Sequence, residues 1–382
     1  MLKPSRRHIL QSLGTLGVGA AAALPMLEAA AATPGSALTS RISRFEVIPT
    51  KIPFYEPVRE AWTASFFRQN RFQTDFRPTM VKIHTDEGLV GICNATMPNQ
   101  EQIHAKLKSM VGRSPWEFLL DDSLRGLLVA VYDLIGQAAG LPVSRLFGTS
   151  PKERIVQTWW SQCYPPDLMA AEAQRGEKAG YKVHKVKARP WEDPIAQAEA
   201  ICSVVGSDFR IWADANAWWG SAGRTVHFCE GLAKLNNYFA IESPIKRPGI
   251  EGYRQLKGKL PLQLSEHMTP DPMPYIREGL LDSFVIGGPM GKTLVQRALM
   301  AEVTKIPLWV EHSIEDGINQ VFQAHQAAAL PGIEYTISIT HVLEDDLMVE
   351  PFTMKDGFYE VPTKPGLGVS LDETAVDKYR VA

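Results

Sequence analysis

The chain has 382 residues, 45% of them hydrophobic and 21% charged, with 40 basic against 42 acidic side chains. This composition excludes a disordered or collagen-like chain, and a length above the ~100 to 200 residues of an ordinary domain calls for one large barrel or two domains. A formal net charge of −2 provides no overall cationic field and no local basic patch stands out, so nucleic acid is not an expected partner. Cys93, Cys163, Cys202 and Cys229 are scattered, fit neither a CxxC pair nor zinc spacing, and read as buried free thiols.

At the N-terminus, Arg6-Arg7 precede an Ala/Gly-rich apolar run from Leu13 to Leu27, and Ala29 to Ala32 offer small residues for cleavage. Pro25 breaks the run, which is less apolar than the ~20-residue stretch a spanning helix needs, so no stable membrane anchor is expected after cleavage. The segment resembles a twin-arginine export signal, and that resemblance implies an exported, periplasmic mature protein. Residues 1–32 are therefore set apart from the fold.

From Ser43 to Asn94, alternation predicts strands at Arg44–Pro49 and Met80–His84, the second ending in the turn Asp86-Glu87-Gly88. Asp121 to Phe147 carries Leu124, Leu127, Leu128, Val131 and Leu134 at helical spacing, with Gly140-Leu141-Pro142 as a stop. After Pro151, short apolar strands alternate with longer helical segments: Ile155–Trp160, Val183–Lys187, Ile211–Asp214, Phe239–Glu242, Leu262–Glu266, Phe284–Gly287, Leu308–His312 and Tyr335–Ile339. Eight such strands predict an α/β fold with a (β/α) TIM-type barrel over residues 151–345. An open doubly wound sheet is disfavoured, because no GxGxxG follows the first strand. Residues 40–150 form the smaller N-terminal domain, and the turn-rich segment 346–382 is expected to pack back on its sheet.

Barrel enzymes build their sites at the C-terminal ends of strands, so ionisable residues there are informative. Lys187, Asp214, Glu242 and Glu266 end successive strands at intervals of 27, 28 and 24 residues, each close to one βα repeat. Three converging carboxylates need a counter-ion, and oxygen donors without His or Cys suit Mg²⁺, so Asp214, Glu242 and Glu266 are the candidate ligands. A lone strand-end acid is as readily a solvated residue or a helix cap. The shared position and regular spacing favour the ligand set.

Period-2 geometry in Tyr181–Lys187 puts Val183, Lys185 and Lys187 on one face. Inside a barrel, repulsion between two ammonium groups and their desolvation lower a lysine pKa and yield a base, whereas on an edge strand the same residues are merely solvated. At the end of Leu308–His312, alternation is read as placing His312 on the face of Val310 with Glu311 turned away, which makes His312 a candidate general acid or a structural rim histidine. His267 is read as turned from the face of Glu266. Trp159, Trp160, Trp212, Trp218 and Trp219 lie near strand ends and serve core packing or line a pocket. Arg189 and Trp191 follow the lysine strand and are placed to reach substrate, with a surface ion pair an equally good role for Arg189. A loop within Tyr55 to Phe76, with Arg68 and Arg71, offers no single assignable residue.

Lys185-x-Lys187, Asp214-x-Asn216, Glu242-x-Pro244 and Glu266, in this order and at barrel spacing, resemble the enolase superfamily, with its mandelate racemase/muconate lactonizing branch the closer match. Ala130–Pro142 looks like that family's linking helix, and Thr85–Gly91 looks like the turn of its N-terminal sheet. The resemblance implies an N-terminal α+β capping domain over a modified barrel, Mg²⁺ bound to a small-molecule carboxylate substrate, and removal of the α-proton by Lys187. Lys185 and Asn216 are implied as substrate contacts, and a homo-oligomer is implied by analogy. In relatives the sixth strand supplies a Lys, or an Asp that pairs with a His on the seventh, whereas Asp282 to Pro289 offers neither partner. The expected activity is dehydration of a sugar-derived 2-hydroxy acid. Racemisation, epimerisation or cycloisomerisation of a carboxylic acid is the alternative, and a non-catalytic extracytoplasmic acid-binding protein is a further one.

Overall fold

The computed structural model describes residues 39–65, 74–148, 150–246, 249–288, 290–311 and 317–381. The signal-like segment, Arg68, Arg71 and His312 lie outside the described residues.

The N-terminal domain begins with strands β1 (Ile42–Pro49), β2 (Ile52–Pro53), β3 (Asp75–Phe76), β4 (Thr79–Thr85) and β5 (Val90–Asn94). β1, β4 and β5 form an antiparallel sheet with β4 in the middle, in a register that sets Val47 against Val81 and Val81 against Cys93. Its apolar face is buried by the helix Leu127–Ala139, whose first ten residues are all buried. The approach is close: a Cβ on Gly91 would lie 2.3 Å from the Ala130 carbonyl oxygen. The long helical pattern read between Asp121 and Phe147 is divided in the structure into a turn at Asp122–Leu124, this helix, and a short helix at Ser144–Phe147. Gly140 ends the middle segment in a left-handed conformation (φ 66°) that suits glycine, and Leu141-Pro142 follow.

The eight barrel strands are β6 (Arg154–Ser161), β7 (Val183–Lys187), β8 (Arg210–Asp214), β9 (Tyr238–Glu242), β10 (Gln263–His267), β11 (Ser283–Gly287), β12 (Leu308–Glu311) and β13 (Ile333–Ser338). Each pairs in parallel with the next, and β13 closes on β6 with Ser338 opposite Trp159. The expected strands and these differ by no more than two residues at any end, because apolar runs bounded by turn residues are a strong strand signal. The C-terminal segment adds β14 (Phe358–Glu360), antiparallel to the outer end of β6. It then reaches the N-terminal sheet, where the Val381 N–H donates to Pro49 O at 3.0 Å and Lys82 pairs with Glu373 at 2.6 Å.

The floor of the barrel is aromatic. Trp212 lies 4.3 Å from Trp309, and Tyr335 and Phe239 lie 5.4 and 5.9 Å from Trp309 between ring centres. This cluster fixes which face of β8 and β12 points inward, and with it the direction of the strand-end acids two residues further on. None of the described helices is long and apolar enough to cross a membrane.

Candidate active site

Strand β7 supplies the two lysines. All five of its residues are buried, as expected for a strand covered by the barrel interior on one side and by helices on the other. Lys185 and Lys187 point into the barrel mouth. Lys185 Nζ lies 2.7 Å from Glu242 Oε2 and 3.3 Å from Asp214 Oδ2, and it also donates to Glu311 Oε2. Its ammonium stands over the Trp212 ring, 4.7 Å from the centroid, and Trp212 Nε1 donates to Glu242 Oε2 at 2.8 Å. Lys187 Nζ donates to Asp214 Oδ2.

The electrostatics differ from those expected for two lysines in isolation. Burial opposes the charged form of Lys185, but the carboxylates of Glu242, Glu311 and Asp214 outweigh it and hold that amine above its ordinary pKa. Lys185 is therefore a fixed cation. For Asp214 burial is again outweighed, here by Lys187 and Lys185, so its carboxyl lies well below the usual range. Glu242 is pushed up, by burial first and then by repulsion from Asp214.

Glu266 does not join this group. Its Oε1 accepts from Ser243 Oγ and from the His267 N–H, both at 2.6 Å, and its Oε2 accepts from the Tyr253 hydroxyl of the helix Ile250–Leu256. Asp214 and Glu242 thus share Lys185 as a partner, whereas Glu266 binds Ser243, the His267 N–H and Tyr253. Among the described residues, potential ligand atoms of Glu242, His267 and Glu311 lie within 4.8 Å of one another.

Two face assignments are reversed. Trp309 is part of the aromatic floor, so Glu311, two residues on, points inward, where its Oε1 lies 3.0 Å from His267 Nε2. His267 also faces this centre, 3.3 Å from Glu242 Oε1, while Glu266 turns to Tyr253. Trp309 was the available signal, because a large aromatic residue alternating with a strand-end acid marks the filled side of a barrel. Desolvation opposes protonation of His267, but its bonds to Glu242 and Glu311 prevail and raise its pKa to about 10.

Asn216 follows β8 in a left-handed conformation (φ 47°), as does Ala217 (φ 66°). Its N–H donates to Asp214 Oδ1 at 2.8 Å and its Nδ2 to Asp214 Oδ2 at 3.2 Å, while its Oδ1 accepts from Arg189 Nε at 2.9 Å. The side chain expected to contact substrate is thus engaged in holding Asp214. Arg189 is only 1% exposed and also donates to Gln162 Oε1, so it is a buried residue and not the surface one expected. Of the five tryptophans, Trp159, Trp160, Trp212 and Trp219 are buried, and Trp218 is exposed beside Trp191.

Residues 168–375 match the family model described as Enolase C-terminal domain-like. The chain is 25% identical over 268 residues to muconate cycloisomerase 1 of Pseudomonas putida, covering 66% of this chain and 70% of that protein. It is 27% identical over 273 residues to arabinonate dehydratase of Saccharolobus solfataricus, covering 67% and 72%. Its fold is similar to the crystal structure of dipeptide epimerase from Enterococcus faecalis V583 complexed with Mg and the dipeptide L-Leu-L-Tyr, with a TM-score of 0.72, 22% identity, and 86% of this chain and 99% of that one covered.

Proposed function

Since the chain belongs to the Enolase C-terminal domain-like family and is an enzyme of the enolase superfamily, we propose that it removes the α-proton of a small carboxylate with Lys187 as base. For a sugar-derived 2-hydroxy acid, the enediolate then expels the β-hydroxyl, which takes a proton from a general acid, with His312 the candidate from the sequence, and leaves as water to complete a dehydration. The observation that carries this reading is the pair of inward lysines on β7 beside Asp214 and Glu242 at the ends of the next two strands. Lys187 Nζ takes the proton, and Asp214 Oδ2 stands beside it to stabilise the ammonium so formed. Lys185, held cationic by three carboxylates, offers a fixed charge to the substrate carboxylate. Arg189 and Asn216 keep Asp214 in place.

Members of the enolase superfamily generally use Mg²⁺. Asp214 and Glu242 fit such an ion: both are fully buried carboxylates on adjacent strand ends, and their oxygens suit a hard divalent cation. Buried carboxylates call for cationic partners. These two residues would hold the ion, while Glu266, the third carboxylate of the series, binds Ser243 and Tyr253. Bound there, Mg²⁺ supplies positive charge to the carboxylate oxygens on which the negative charge spreads.

Dehydration is supported by the likeness to arabinonate dehydratase, 27% identical, and to D-gluconate dehydratase of Thermoproteus tenax, 23% identical over 352 residues. Epimerisation is the second reading, favoured by 28% identity over 204 residues to a hydrophobic dipeptide epimerase. An NMR screen of acid sugars and dipeptides in D₂O with Mg²⁺ separates them. Elimination yields a 2-keto-3-deoxy acid, whereas epimerisation leaves composition unchanged and deuterates the α-carbon. If no acid is dehydrated, epimerised or exchanged at its α-carbon, the proposal fails and the non-catalytic reading replaces it. Export through Arg6-Arg7 and a homo-oligomeric state are part of the same proposal, tested by periplasmic fractionation of an Arg6→Lys/Arg7→Lys variant and by sedimentation.

A further inference from the structure

We propose that Glu311 is a positioning residue, admitted to the barrel mouth by Gly287, that holds Lys185 and His267 in register beside the base. The inference rests on Lys187 being the base, and it concerns residues to which that reading gives no part. Glu311 ends β12 and lies opposite Gly287 of β11 in the strand register. Its two carboxylate oxygens have separate partners from two other strands: Oε2 accepts from Lys185 Nζ of β7, and Oε1 lies 3.0 Å from His267 Nε2 of β10. One short side chain therefore ties three strand ends together. Each oxygen has its own nitrogen partner, so the carboxylate cannot rotate without losing a contact.

Gly287 makes this possible. A Cβ built there would lie 3.0 Å from the Glu311 carbonyl oxygen and 3.3 Å from Glu311 Cγ, tighter than ordinary packing. The end of β11 carries Gly287-Gly288 and no ionisable side chain, so its share of the mouth is left to the neighbouring strand. What looks like a missing sixth-strand residue in the sequence is, in the structure, the space that Glu311 crosses. His267 would otherwise keep only its 3.3 Å contact with Glu242, and Lys185 would be drawn toward Asp214 and Glu242 alone.

Glu311→Gln tests the clamp with almost no change of volume. An amide has one acceptor oxygen where the carboxylate has two, so whichever way it turns, either Lys185 or His267 faces an NH₂ group. Gly287→Val leaves the carboxylate intact and crowds it from the other strand. In both full-length variants, the kcat for α-proton exchange in D₂O, on the acid found by the screen, should fall by about 10- to 100-fold with KM within threefold. The melting temperature should stay within a few degrees of wild type, and crystal structures should show His267 Nε2 displaced by about 1 Å or more. An unchanged kcat, a fall confined to KM, or an unmoved His267 overturns the inference. If the wild type exchanges no acid, the Lys187 reading fails by itself, and the displacement of His267 alone then decides the role of Glu311. If Glu311→Gln does not fold, Gly287→Val is judged by the same criteria.

Discussion

Acid should loosen the junction between barrel and N-terminal domain through His325, and the size of the effect follows from its hydrogen bonds. His325 is buried in the helix Gly317–Ala329. Its Nδ1 accepts from the Ser144 N–H at 3.2 Å and its Nε2 donates to Leu367 O at 2.9 Å, a pattern that only the neutral ring with its proton on Nε2 can make. A second proton would point at the Ser144 N–H. Burial accordingly lowers the pKa from 6.5 to about 4, against a smaller opposing effect of Leu367 O. Unfolded chains take up this proton below 6.5 and the folded protein does not until about 4. The stabilisation is thus complete above pH 6.5 and lost as pH falls through that window, amounting to about 3 kcal/mol at roughly 1.4 kcal/mol per pH unit. Asp133 acts in the opposite sense: burial raises it to about 6 even though it accepts from the Leu367 N–H at 2.9 Å, so it adds stability as pH falls from 6 toward 3.8. The two nearly cancel in the wild type, and a variant is needed to separate them. Urea unfolding of wild type and His325→Gln from pH 7 to 4.5 should show the stability gap between them narrowing by about 2 to 3 kcal/mol. A gap constant across that range would refute the reasoning.

Gly366 has φ +71°, and a Cβ there would lie 2.2 Å from Asp133 Oδ1, so Gly366→Ala should cost more than about 2 kcal/mol in denaturant unfolding. Trp212→Phe removes the 2.8 Å donor to buried Glu242, and calorimetric unfolding should show a loss of about 1 to 3 kcal/mol. Chelation of divalent ions should abolish α-proton exchange yet leave the circular dichroism spectrum intact, because Lys185 and Lys187 already pair with Asp214 and Glu242. Restoring Mg²⁺ to a hundredfold excess over its Kd should then raise stability by about 2.7 kcal/mol at most.

The barrel was legible because each strand is a short apolar run with a turn on either side, as in Ile211–Asp214 and Phe284–Gly287. Lys185, Lys187, Asp214 and Glu242 could be placed at one rim because βα repeats of similar length return the chain to it. What could not be read was the direction of a side chain at a strand's last residue. Glu266 and His267 are adjacent, and only packing decides which faces inward; in the structure the outer Tyr253 draws Glu266 away and leaves His267 to the centre. Glu311 was missed for the same reason, since the space it needs is set by Gly287 on a neighbouring strand, 24 residues away in sequence. The charge of Lys185 is also invisible from β7 alone, because it is set by the three carboxylates that β8, β9 and β12 bring to it. Helical periodicity likewise ran on through Gly126, whose Cβ would lie 1.9 Å from Asn94 O, a tertiary contact that local spacing does not show.

The most direct measurement is deuterium incorporation at the substrate α-carbon by Lys187→Ala, followed by NMR in D₂O with Mg²⁺ on the acid that the wild type turns over. With Lys187 as the base, incorporation should fall by about 10²- to 10⁴-fold while the protein remains folded and still binds the acid. Incorporation at the wild-type rate would contradict the account.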